Sequence, residues 1–159
     1  MAAVRKIIPD TPARVPAHTS RGANRRIAAR MQRDVQESAA HPRGIAQRLK
    51  KLDSEWDIER AIEANASSLA FAGVALSALT RDRRFLILPG LVTAFLFQHA
   101  LQGWCPPVPI LRRLGFRTAQ EIEQERHALK ALRGDYDRVK RARSVLARAR
   151  AALGAAQAA

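Results

Sequence analysis

"FLILPGLVTAFLFQHALQGW", residues 85–104, runs for 20 residues without a charged side chain. As a helix rising about 1.5 Å per residue it covers roughly 30 Å, the hydrocarbon thickness of a bilayer. Ten of its first 17 residues are Leu, Ile, Val or Phe, and together they contribute roughly −5 kcal/mol toward insertion. Only Gln98 and His99 oppose that strongly, and both lie near the end. A soluble core helix is the alternative, but it does not require so long an uncharged run. Upstream, "ANASSLAFAGVALSALT" (64–80) is also uncharged but weaker. Its five large apolar residues supply roughly −2.5 kcal/mol against Asn65 and several serines.

The weaker run is patterned for a neighbour. Ala66, Ala70, Gly73 and Ser77 recur at spacings of 4, 3 and 4, a smooth helix face on which a second backbone can approach closely in lipid. Arg81-Asp82-Arg83-Arg84 separates the two runs, and so short a turn requires antiparallel neighbours. The sequence therefore predicts an all-α protein: a two-span antiparallel transmembrane helical hairpin over 64–104 (spans 64–80 and 85–104) with cytoplasmic helical arms.

Outward from the hairpin, residues 1–23 contain Pro9, Pro12, Pro16 and Gly22 and read as a disordered basic arm. Residues 24–63 read as a cytoplasmic helical segment. In it Ile45, Leu49, Leu52 and Trp56 form one apolar stripe continuing through Ile62 into span one. Pro106, Pro107 and Pro109 define a Cys-Pro connector over 105–117. Residues 118–159 are expected as one basic helix, N-capped by Thr118 with Glu121 completing a capping box, and frayed at its Ala-rich end. No strand pattern or internal repeat is visible. No cleavable signal peptide or lipidation motif is expected.

The net charge is +14, from 28 basic and 14 acidic residues. It lies in the arms: residues 1–50 hold 11 basic and 3 acidic, 112–159 hold 12 and 5, and the middle is nearly neutral. Such arms suit anionic lipid headgroups or nucleic acid. "RVKRARSVLARARAA" has no interleaved aromatics and no recognised DNA-binding motif, so nucleic acid is disfavoured. The bilayer and its anionic headgroups are the expected partners, with a homodimer or another membrane protein as the other. Lys50, Lys51 and Arg60 before span one, with Arg112, Arg113 and Arg117 after span two, outnumber the three arginines of the turn. This bias puts both termini in the cytoplasm.

At the exit of span two, Trp104 sits where amphipathic rings favour the headgroup zone. Arg112, Arg113 and Arg117 are the expected contacts to anionic lipid. Cys105, the only cysteine, has two readings: a small apolar residue packed at the hairpin end, or a reactive thiol favoured by nearby arginines. His99 and Gln102 share one face, with Asn65 of span one as their expected partner. A single cysteine excludes an intrachain disulfide. With four scattered histidines it shows no metal-ligand spacing. No catalytic residue, metal site or cofactor is predicted.

"GWCPPVPILRRLG" following two short apolar helices resembles the YgaP-like inner-membrane family, a two-span bacterial domain. The matching residues are Gly103, Cys105, Pro106, Leu114 and Gly115. Asp57 and Arg60 in "WDIERAIEANAS" resemble its charged lead-in, and the flanks resemble a longer proteobacterial branch. The resemblance covers roughly residues 52–136 and implies the bacterial inner membrane as location. Some members carry a rhodanese sulfurtransferase domain, which has no counterpart here. The expected function is a small integral membrane protein, structural or partner-binding and not an enzyme. A thiol-dependent sulfur-handling or redox-sensing protein using Cys105 is the alternative, and a soluble basic nucleic-acid binder the second.

Overall fold

A computed structural model describes residues 8–157. Among them the regular structure is entirely helical, with no strand. The helices are α1 (Arg14–Ala17), α2 (Arg21–Ala40), α3 (Ile45–Ser54), α4 (Ile58–Thr80), α5 (Ile87–Gln102), α6 (Val108–Leu114), α7 (Ala119–Arg133), α8 (Asp137–Arg141) and α9 (Val145–Gln157). They divide into two compact units. The first takes the chain up to Ile27 and Trp56–Ala119; the second takes Ala28–Glu55 and the chain from Gln120.

In the first unit, α4 begins where the Asp57 carboxylate accepts from the Arg60 N–H at 2.6 Å, satisfying one of the donors a helix start leaves open. It ends at Thr80. Arg81 then takes the left-handed conformation, with φ 55°, which is uncommon for a residue other than glycine. Asp82 accepts from the Arg84 N–H at 2.9 Å and opens a 3-10 turn over Arg83–Leu86 that leads into α5. Pro89 lies in the first turn of α5, where its missing N–H removes no helical bond. Gly103, at φ 75°, closes α5 by donating to the His99 carbonyl at 2.7 Å. The two helices fold back antiparallel. Where Gly73 lacks a side chain, α4 meets Phe85, Leu88 and Pro89. The core at the other end joins Val15, Ile58, Ile62, Cys105 and Val108, with Leu96, Leu111 and Phe116 packed against them.

Two expectations are corrected in this unit. Within the supposedly disordered arm, α1 is ordered and Val15 is buried, and Thr19 donates to the Val15 carbonyl at 2.8 Å. Residues 1–7 of that arm lie outside the described residues. The supposed connector contains α6, which ends at Gly115 with φ 94°. The physical reason is shared. Pro12, Pro107 and Pro109 stand at helix starts, where proline's fixed φ suits a first turn and no donor is missed.

In the second unit, Ile45, Leu49 and Leu52 of α3 pack with Ile122 and Leu129 of α7. Arg48 binds the fully buried Glu125 carboxylate at 2.6 Å and Asp34 at 2.7 Å. Lys130, also buried, donates to the Ala156 carbonyl at 2.8 Å. The apolar stripe stops short of its expected course: α3 ends at Ser54, and Glu55 is extended. Trp56, already in the first unit, stands about half exposed, with the Arg60 guanidinium 4.5 Å over its ring. The expected single C-terminal helix is three. Gly134, at φ 86°, ends α7, and Ala142 turns extended after α8. The helix does begin at Ala119, directly after the buried Thr118. Of the expected frayed end, α9 is helical to Gln157, and residues 158–159 lie outside the described residues.

Candidate membrane hairpin and the groove at Cys105

The helical stretches Pro42–Thr80 and Arg83–Gln102, which contain α4 and α5, carry windows of mean hydropathy 1.3 and 1.5, yet only 11% and 6% of those windows are buried inside the protein. A core helix of a soluble protein is buried on its apolar stripe. Here Phe71, Leu79, Ile87, Leu91 and Phe97 all stand exposed, and α5 is apolar on every side. Large exposed apolar side chains therefore stand on both helices, and large exposed apolar patches are rare in a soluble monomer.

Of the four small residues, Gly73 is the one shown in close contact with the second helix. Gly73 is buried, and Ala66, Ala70 and Ser77 are half-buried among exposed neighbours. A Cβ on Gly73 would stand 2.5 Å from Pro89 Cδ and 3.0 Å from the Phe85 carbonyl oxygen. Close backbone approach is what the small residues permit.

Between the helices a groove of about 210 Å³ is lined by Ile62, Ala66, Leu69, Phe95, Leu96 and Cys105, among others. Its lining is apolar. Cys105 is almost fully buried at its end and belongs to the core cluster. Burial pushes its thiol above the ordinary value, only partly offset by the Val108 N–H. The arginines expected to favour a thiolate are turned elsewhere. Glu59, at the start of α4, is likewise raised, chiefly by burial, although the Ala119 N–H donates to it at 3.4 Å.

The expected lipid contacts are corrected at two of three positions. Arg112 is 1% exposed and donates to Thr19 Oγ1 at 3.1 Å, to Asn24 Oδ1 at 2.9 Å and to the Phe116 carbonyl at 3.1 Å. Arg117 is buried as well. Both charges serve the interior of the unit, and Arg113 alone of the three is exposed. Sequence gave no sign of this, because Thr19 and Asn24 lie far back in the chain.

The motif glycines have separate physical reasons. Gly103 needs its left-handed φ, and a side chain there would also strike the Arg14 backbone, 2.7 Å from its carbonyl oxygen. Gly115 needs φ 94° to end α6. Pro106 and Leu114 are exposed. The expected bond from Asn65 to His99 or Gln102 is not made. Asn65 donates to the Ala61 carbonyl of its own helix at 2.8 Å, and Gln98 to Gln102 at 3.4 Å. An Asn, Ser or Thr on an apolar helix can satisfy itself one turn back. His99 is buried beside Arg14, whose guanidinium donates to the Ala100 carbonyl, and neither His99 Nδ1 nor Arg14 Nε has a partner among the described residues.

No protein-family model, no curated protein and no solved structure matches this chain.

Proposed function

We propose that the protein is a small integral membrane protein of the bacterial inner membrane, with α4 and α5 crossing the bilayer as a hairpin and acting as a structural or partner-binding module. The carrying observation is the pair of long apolar helices whose span windows are almost wholly unburied. Water would have to cover that surface in a soluble monomer, whereas lipid covers it without cost. Anionic headgroups are the proposed lipid partners, met by exposed Arg113. Cys105 acts as packing, an assignment supported by its burial among Val15, Ile58 and Ile62. Membership of the YgaP-like family belongs to the same proposal, supported by the physical need for glycine at positions 103 and 115.

Alkaline carbonate extraction of membranes holding the full chain tests the reading. The expected result is retention in the pellet. Quantitative release into the supernatant overturns it.

A further inference from the structure

Helix α6 buries a charge and exposes two large aliphatic side chains. Its interior side carries Val108 and the charged Arg112, at 0% and 1% exposure, while Ile110 and Leu114, one turn apart, are 61% and 72% exposed. Pro106 and Pro109 are exposed too, and Arg113 is the one charge among them. A helix that turns an arginine inward, beside Val108 and Leu111, and leaves Ile110 and Leu114 outward fits a medium that accepts apolar side chains.

Chain geometry states which medium. Val108 and Cys105 share a core cluster with Leu96 of α5, and Leu96 stands six residues, about 9 Å of helix, before the end at Gln102. α6 therefore sits level with the last turns of α5. There, half-buried Trp104 meets Phe95 edge-on at 6.5 Å. Through Arg112, α6 is also tied to Asn24 in the first turn of α2, which exposes Arg21, Arg25 and Arg26. An exposed apolar strip with Arg113 beside it, at the level where an apolar helix ends, has the make-up of an interfacial element.

We infer that α6 lies in the headgroup boundary of an anionic bilayer, with Ile110 and Leu114 among the upper acyl carbons and Arg113 at the phosphates. This rests on the membrane reading of α4 and α5. The test keeps the two apart. A solvatochromic residue is incorporated at position 91, 110 or 114 of the full chain, in vesicles of equal parts phosphatidylethanolamine and phosphatidylglycerol. Some of the lipids carry a spin label either near the headgroup or at mid-chain. Positions 110 and 114 should be quenched roughly twofold more by the shallow label, as befits a shallow helix, and position 91 more by the deep one. Quenching at 91 without quenching at 110 and 114 overturns the placement of α6 and leaves the hairpin standing. No quenching at any position overturns the hairpin itself. A probe at 114 that ignores lipid but shifts with protein concentration assigns the strip to a second copy, against the inference. Equal shallow quenching in phosphatidylcholine vesicles overturns the part given to Arg113.

Discussion

Replacing Arg112 by Leu removes the donors to Thr19, Asn24 and the Phe116 carbonyl at once. Each bond to a charged group contributes about 1.5–3 kcal/mol net, though such losses do not add fully. Arg112→Leu should therefore destabilise the first unit by about 3 kcal/mol or more, while Arg113→Leu, at an exposed position, should stay within about 0.5 kcal/mol. Thermal melts of the two variants in detergent compare them directly; equal melting temperatures contradict the burial of Arg112. Cys105 is the second residue whose chemistry follows from its surroundings. Burial disfavours the thiolate, so the folded thiol should ionise later than a free one. Alkylation by a small membrane-impermeant reagent on inverted vesicles should be slow at neutral pH, with its midpoint above the ordinary value of about 8.5. Cys105→Ser should leave insertion intact and cost no more than about 1–2 kcal/mol. A midpoint well below the ordinary value would instead make the thiol a carrier or sensor.

The hairpin helices differ in how they hold together. α5 has no polar face, so its neighbour must supply the specificity, and α4 does so by lacking side chains where α5 approaches. Gly73→Leu forces atoms into the space held by Pro89 and the Phe85 carbonyl, and overpacking of this kind costs about 1–3 kcal/mol or more. Leu76→Ala removes an exposed side chain and should change little. Disulfide crosslinking between engineered cysteines on α4 and α5, in a Cys105→Ser background, should fail for the first variant and proceed for the second. Equal crosslinking in both removes the close-approach argument. The close approach at Gly73 was legible because it depends only on residue size and helical spacing within one segment. The prolines misled, since the same residue ends a helix when it falls inside and starts one when it falls in the first turn. Which of the two holds at Pro12, Pro107 and Pro109 depended on distant partners such as Val15 and Val108 meeting in one core. The same holds for Glu125 and Arg48, 77 positions apart: a fully buried carboxylate on a helix of charged residues is invisible until its partner is known.

For the whole molecule, the remaining question is which way the hairpin faces. Orientation is fixed while the chain inserts, by Lys and Arg within about 15–20 residues of the span ends. The burial of Arg112 and Arg117 in the finished fold does not remove them from this count, because insertion acts on the chain before those side chains find Thr19, Asn24 or other partners. Lys50, Lys51 and Arg60 on one flank and Arg112, Arg113 and Arg117 on the other therefore oppose only Arg81, Arg83 and Arg84 in the turn. The basic residues farther out on both arms add to the same side, since each would otherwise have to be translocated. Both termini should be cytoplasmic. A reporter active only in the cytoplasm, fused after Ala159, should be active, and one active only outside it, inserted between Asp82 and Arg83, should be active as well. A silent but expressed C-terminal fusion, paired with a silent turn insertion, reverses the topology. Activity of the C-terminal fusion with a silent turn insertion means that the hairpin does not cross, which returns α4 and α5 to a soluble bundle.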